Sequence, residues 1–227
     1  TCTKLVLIYF PERQVTKIMK GIMASWFGFL GVLFFLSSAI LGGLQFSEYS
    51  HISQLISESY AIGTTYGLQL RYLGFLPSGI FIAAFAFYAA SVLPKSTFSK
   101  LGFTGLGLFY GIATIIVSLF PCDKGCNKEF ADPSLSQLIH TLTGLFTYIV
   151  VPISLLILGI AAKKWANGKY LARLGIVCGL TAILFVGILS ADLHSKFIGL
   201  YQRIIESSVL VWIVACSFYL RTFQRES

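Results

Sequence analysis

The sequence has few charged side chains. Asp, Glu, Lys and Arg make up 11% of its 227 residues, whereas hydrophobic residues make up 56%. Soluble globular domains are closer to a quarter charged, and a soluble domain of this length has too little interior to hide so much apolar surface. The composition therefore argues against a soluble protein and predicts one that is embedded in a lipid bilayer.

Several motifs of known chemistry are also missing from the sequence. It has no Walker A loop, no dinucleotide-binding fingerprint, no heptad repeat and no H-E-x-x-H spacing. The net charge of +8 does not indicate nucleic acid, because the basic residues lie beside apolar runs rather than among exposed aromatic residues. We therefore expect no nucleic-acid partner.

Six segments are long and apolar enough to cross a bilayer, which needs about 20 such residues. Their runs are continuous and lack the alternation of barrel strands, so we predict helices. The predicted fold is an all-α polytopic membrane bundle, with a segment 1–21, a six-helix domain 22–220 and a tail 221–227. The predicted spans are 22–44, 73–93, 101–120, 138–161, 171–190 and 199–220.

The start of the chain offers two interpretations. Segment 22–44 follows Lys17 and Lys20, as the core of a signal peptide would. Its apolar run is longer than a usual signal core and lacks a clear cleavage site, so we interpret it as the first membrane helix. The short apolar run 5–10 ends at Pro11 and is expected to lie at the membrane interface or to pack on the bundle.

The distribution of basic residues predicts the orientation, because Lys and Arg favour cytoplasmic loops. Both termini and the second and fourth loops are rich in basic residues, whereas the first, third and fifth loops are mixed. We therefore expect both termini in the cytoplasm. The basic residues on that side are Lys4, Arg13, Lys17, Lys20, Lys95, Lys100, Lys163, Lys164, Lys169, Arg173, Arg221 and Arg225.

All three histidines then fall on the extracytoplasmic side. His51, His140 and His194 could bind a divalent metal such as zinc, together with nearby carboxylates. A metal-bound water would be a nucleophile at neutral pH, with Glu58, Asp123 and His140 as the catalytic candidates. The alternatives are solvated loop side chains, or a b-type haem held between His140 and His194.

The last span contains polar side chains at some depth. Glu206 lies about 10 Å into its helix at 1.5 Å per residue, and ionisable groups there usually face the bundle interior and have a partner. Arg203 is three residues earlier and can touch it. The pair is either a structural ion pair or the floor of a ligand site with Gln202, in which Arg203 binds a phosphate or carboxylate.

Two cysteines lie four residues apart in an outer loop. Cys122 and Cys126 are predicted to form a disulfide, which an oxidising compartment permits. Free thiols, or metal ligands joined by His140, are the alternatives. Cys178 and Cys216 lie within spans and are expected to be core residues.

Three groups of residues resemble elements of a known family. They are Tyr49-Ser50-His51 with Ile56-Ser57-Glu58, Phe120-Pro121-Cys122-Asp123 with Cys126 and His140, and Gly199-Leu200 with Gln202-Arg203. Together they resemble the prokaryotic domain-of-unknown-function family 998, from about residue 22 to 220. The resemblance implies six helices in a prokaryotic plasma membrane, and it supplies no reaction. Ser59 and Tyr60 depart from the expected Leu-Gly-like turn.

These observations lead to three functional hypotheses. The first is an extracytoplasmic pocket for a small molecule or lipid headgroup, with metal-assisted hydrolysis of a lipid as the natural reaction. The second is a small-molecule transporter or sensor. The third is an accessory subunit of a larger membrane complex. The expected partners are membrane lipid and either a second copy of the chain or such a complex.

Overall fold

The computed structural model describes residues 12–223, which form six long helices and contain no β-strand. Each helix corresponds to one predicted span, with two of the spans ending one residue beyond their helix, and all six are apolar enough to cross a membrane. The predicted all-α six-helix fold is therefore confirmed. The predicted interfacial run 5–10, Pro11 and the last tail residues 224–227 lie outside the described residues. The helices are α1 (Glu12–Leu44), α2 (Gly67–Val92), α3 (Thr97–Leu119), α4 (Leu135–Ala162), α5 (Lys169–Ala191) and α6 (Ile198–Phe223).

The helices form a closed ring in chain order. Each helix packs against the next one, and α6 returns to pack against α1. Short connections favour this order, because helices that follow one another closely become antiparallel neighbours. The ring encloses a core in which Phe85, Phe103 and Trp212 are completely buried.

Glycines allow two pairs of helices to approach each other closely. A Cβ atom added to Gly111 on α3 would lie 2.5 Å from the backbone nitrogen of Ala83 on α2. One added to Gly175 on α5 would lie 2.9 Å from the Cα of Gly159 on α4. Small residues let helix backbones touch in this way in membranes. Gly111 and Gly175 therefore lie in close helix contacts.

Two helices contain a π-helical turn, at Leu70–Phe75 in α2 and at Gly107–Ile112 in α3. Such turns insert one residue into the α-helix, rotate the side chains that follow, and are frequent at functional sites. Phe75 and Tyr110 lie within them, and each is only 2% exposed. The π turns therefore hold two aromatic side chains towards the centre of the ring.

Three loops meet at one end of the bundle, which we call the loop-rich end. They are 45–66, 120–134 and 192–197. The first loop is hydrogen-bonded to the second loop and to α6. Ile62 N donates to Cys122 O at 2.9 Å, and Leu200 N, in the first turn of α6, donates to Ile52 O at 2.9 Å. All the candidate functional residues from the sequence lie at this end.

Candidate functional site

A chamber of about 410 Å³ lies inside the ring at the loop-rich end. This volume falls within the range of small-molecule binding sites. All six helices contribute to its walls, through Phe35, Phe75, Tyr110, His140, Leu189 and Glu206. Another cavity is a largely apolar groove between α1 and α2, lined by Leu33, Leu41 and Leu73.

Among the described residues that line the chamber, Glu206 on α6 is the single acidic one. It is 8% exposed, and both of its carboxyl oxygens accept hydrogen bonds from tyrosines. The hydroxyl of Tyr110 donates to Oε2 at 2.7 Å, and that of Tyr148 donates to Oε1 at 3.1 Å. A buried polar group left without a hydrogen-bond partner is costly. Two tyrosines from α3 and α4 therefore hold the carboxyl group in the interior.

Gln202 connects this network to the first loop. It lies one helical turn before Glu206, and its Nε2 donates to the hydroxyl oxygen of Tyr148 at 2.9 Å. Its Oε1 accepts from the backbone nitrogen of Ile56 at 2.6 Å. Ile56 begins the short 3-10 helix Ile56–Tyr60, whose inner residues line the chamber. The position of the loop and that of the acidic group are thus linked through one amide side chain.

Aromatic rings line the wall beside Glu206. The ring centroids of Phe35 and Tyr110 are 6.1 Å apart, those of Phe35 and Phe75 5.4 Å, and those of Tyr60 and Phe75 4.6 Å. Burial raises the pKa of Tyr60 above that of an ordinary tyrosine. The chamber therefore combines one carboxyl group with a continuous aromatic surface.

Arg203 does not enter the chamber and does not pair with Glu206, so the predicted contact between the two is wrong. Its guanidinium donates to the carbonyl oxygens of His51 at 2.7 Å and Gln54 at 2.8 Å, and to the hydroxyl of Tyr49 at 3.0 Å. The first loop offers these acceptors at the loop-rich end of α6, whereas Glu206 is turned towards α3 and α4. Arg203 therefore fixes the loop.

Glu58 and Asp123 also organise loops. Glu58 forms an ion pair with Lys128 at 2.8 Å and accepts from the backbone nitrogen of Leu55 at 3.0 Å. Asp123 accepts from Ser134, at 2.6 Å from the hydroxyl and 3.0 Å from the backbone nitrogen. These hydrogen bonds lower the pKa of Asp123. Neither carboxylate is among the residues that line the chamber.

The three histidines lie apart from one another. His51 is exposed and packs against the ring of Tyr49, and partial burial together with the Arg203 charge lowers its pKa. His194 lies 3.7 Å from Glu129 at the surface. His140 lines the chamber, with Nδ1 3.1 Å from the carbonyl oxygen of Phe120. Among residues 12–223 no three metal-ligating side chains come together, so the expected zinc ligand set is not assembled.

The predicted disulfide between Cys122 and Cys126 is confirmed. Both cysteines are buried and border the chamber. Gln137 on α4 supports the turn, since its Oε1 accepts from Asp123 N at 2.8 Å. Gly125 within the turn has φ +68°, a conformation that glycine adopts without a steric penalty. The disulfide loop thus forms part of the chamber's outer wall.

The sequence reasoning missed Tyr110, Tyr148 and Gln137. They lie in spans whose composition is apolar, where single polar atoms carry little signal. Gln137, Thr141 and Tyr148 are spaced four and seven residues apart, which places them on one face of α4. That spacing was the available signal for a polar face directed into the bundle.

Comparison with known proteins gave one match. Residues 29–219 match the profile of a family described as "Protein of unknown function (DUF998)". No curated protein and no solved structure matches the chain.

Proposed function

The chain belongs to the DUF998 family, and we propose that it is a membrane protein that binds a small organic cation in the chamber at its loop-rich end. The family description gives no reaction, so the proposal depends on the chamber itself. The observation that carries it is the buried carboxyl group of Glu206, which lies among aromatic rings and has no cationic partner among the described residues.

An unpaired carboxylate in a membrane interior is costly, and such groups usually serve a functional purpose. No lysine or arginine from the described part of the chain lines the chamber. Lys128 is paired with Glu58, and Arg203 is bonded to loop carbonyl groups. A bound cation would supply the missing positive charge, so the electrostatics favour a cationic ligand over an anionic one.

The aromatic wall favours an organic cation. The face of an aromatic ring attracts an ammonium group within about 6 Å of its centre, and cages of several rings recognise quaternary ammonium groups. Phe35, Tyr60, Phe75 and Tyr110 all line the chamber on the side of Glu206. The rings offer a tetraalkylammonium group an apolar surface, and Glu206 offers it an acidic group.

Three interpretations from the sequence lose their support: phosphate binding, lipid hydrolysis and transport. The phosphate interpretation required Arg203 to face a ligand, and the lipid-hydrolysis interpretation required the histidines and carboxylates to converge. Transport would need a route to the opposite end of the bundle, where the fully buried rings of Phe85, Phe103 and Trp212 fill the ring. Binding or sensing therefore fits the geometry better than transport or hydrolysis.

We also propose that the loop-rich end faces the extracytoplasmic side of a plasma membrane. The basic residues concentrate at the other end, as the positive-inside rule requires. The disulfide between Cys122 and Cys126 belongs in an oxidising compartment. The test is the reaction of a membrane-impermeant maleimide with a cysteine introduced at Thr65. We expect this cysteine to be labelled in intact cells. If it is labelled only after the cells are lysed, the proposed orientation is wrong.

The binding proposal is tested with choline and with its neutral carbon isostere, in which a tert-butyl group replaces the trimethylammonium. Binding to the purified protein in maltoside micelles is measured by calorimetry. We expect choline to bind at least about tenfold more tightly than the isostere, a difference of about 1.4 kcal/mol. Glu206→Gln should abolish this preference, because the charge is lost while the shape is kept.

Glu48→Gln is the matched control, because it removes one negative charge from an exposed position in the first loop. It should leave the preference for choline intact. Equal binding of choline and the isostere to the unmodified protein, or an unchanged preference in Glu206→Gln, would contradict the proposal.

A further inference from the structure

Helices α4 and α5 touch closely in the half of the bundle away from the loops. A Cβ atom added to Gly179 on α5 would lie 2.8 Å from Cγ of Leu156 and 3.0 Å from the carbonyl oxygen of Pro152, both on α4. Gly175 and Gly159 make a similar contact one turn further on. These positions define the faces that the two helices turn towards each other.

The same faces are open at the loop-rich end. Eleven residues correspond to about three helical turns, so residues eleven apart lie on the same helix face. Ser190 is therefore on the same face of α5 as Gly179, about three turns nearer the loop-rich end. Thr141 and Leu145 have the same relation to Pro152 and Leu156 on α4. All three of these residues are exposed, and all three line the chamber. A Cβ added to Gly144, which also lines the chamber, would meet no atom within 4 Å. The two helices therefore separate and leave a gap into the chamber.

This gap opens sideways, into the region that lipid occupies. Thr141 and Leu145 belong to the span Leu135–Ala162, and Ser190 belongs to Lys169–Ala191. Of the six spans, the one formed by α5 has the smallest buried share, 28%. The edges of the gap are largely apolar, with Leu145 53% exposed and Leu193 46% exposed. An alkyl chain could cross them without exposing apolar surface to water.

The acidic group lies directly behind the gap. Tyr148, whose hydroxyl donates to Glu206, follows Leu145 by three residues, or about 4.5 Å along the helix axis. A ligand held at Glu206 therefore needs only a short path to reach the lipid between α4 and α5.

From this arrangement we infer that the ligand is an amphiphile from the bilayer. Its cationic headgroup binds among Glu206 and the aromatic rings, and its alkyl chain leaves through the gap between α4 and α5. The inference rests on the proposed cation site and adds the route of entry and the requirement for a chain. A water-soluble amine and a membrane amine share the headgroup chemistry, and the chain distinguishes them.

The test uses two probes at trace concentration in maltoside micelles. Choline has the cationic headgroup without an alkyl chain, and hexadecyltrimethylammonium has a similar headgroup with one. The affinity of each probe is compared between the unmodified protein and variants that fill the gap. We expect Ser190→Trp to lower the ratio of chain-probe affinity to choline affinity at least tenfold. Thr141→Trp, which fills the gap from α4, should act in the same direction.

Leu184→Trp is the matched control, because Leu184 is exposed on another face of α5 and does not line the chamber. It should leave the ratio unchanged. Circular dichroism and size-exclusion chromatography verify that each variant is folded.

The outcomes separate this inference from the proposed function. If choline binds in a Glu206-dependent way but neither gap-filling variant changes the ratio, the lateral route is wrong and the cation site stands. If neither probe binds the unmodified protein, both are wrong. If hexadecyl sulfate binds as tightly as the ammonium probe, the gap takes alkyl chains without regard to the headgroup and the inference is wrong, whereas the cation site is decided by the choline test alone.

Discussion

The hydrogen bond from Tyr110 to Glu206 offers a direct measure of the charge in the chamber. Tyr110→Phe removes one hydroxyl and leaves the ring, which is 2% exposed, in place. The donor lies 2.7 Å from Oε2 of Glu206, and no other described donor to that oxygen replaces it. The substitution therefore isolates one hydrogen bond in a buried environment.

The expected loss depends on the state of Glu206. Hydrogen bonds between membrane helices average about 0.6 kcal/mol and reach about 1.7 kcal/mol, whereas hydrogen bonds to charged groups contribute about 1.5–3 kcal/mol. The proposed cation site requires an ionised carboxylate, so we expect Tyr110→Phe to destabilise the protein by about 1.5–3 kcal/mol. At roughly 2–4 °C per kcal/mol for a chain of this length, the melting temperature should fall by about 3–12 °C.

Thermal unfolding in maltoside micelles, followed by circular dichroism, measures the shift. Tyr201→Phe is the matched control, because the ring of this partly buried tyrosine of α6 packs on Phe185 and Phe197, and its hydroxyl takes no part in the network around Glu206. It should change the melting temperature by less than about 2 °C. The double variant Tyr110→Phe/Glu206→Gln should lose less than the sum of the two single losses, because the charged acceptor is already absent. A loss no larger than that of the control would refute an ionised Glu206 bonded to Tyr110.

Two further predictions concern packing and acid stability. Gly111→Ala should destabilise the bundle by about 1–3 kcal/mol, because the new methyl group meets the backbone of Ala83; Gly187→Ala, where a Cβ meets nothing, should be neutral or slightly stabilising in the same thermal assay. The lowered pKa of Asp123 means that its bonds to Ser134 stabilise the fold above its ordinary pKa of 3.8 and are lost as pH falls through the lower folded-state pKa. Asp123→Asn should therefore have a lower melting temperature than the unmodified protein at neutral pH, and this difference should disappear in strong acid. A difference in melting temperature that persists in strong acid would show that Asp123 acts through something other than its charge.

The sequence predicted which residues share one end of the bundle but not which of them meet. Glu206 was correctly singled out as an interior acidic group, because an ionisable side chain deep in an apolar run normally faces the bundle interior. Its partners could not be identified, because Tyr110 and Tyr148 are 96 and 58 residues away. Arg203 was assigned to the same helix face, and the competing carbonyl acceptors of the first loop determined its direction instead.

The number of helices, their approximate bounds and the disulfide could be derived from the sequence alone. Lipid solvates each apolar run separately, so the presence of a span depends on about 20 consecutive residues, and Cys122 and Cys126 are neighbours whatever the rest of the chain does. The chamber was decided only by the tertiary structure. It depends on the π turn that carries Tyr110, on the rotation of α6 that turns Glu206 inward, and on the separation of α4 from α5 above their glycine contacts. These features arise from how six helices pack around one another, and no single segment contains that information.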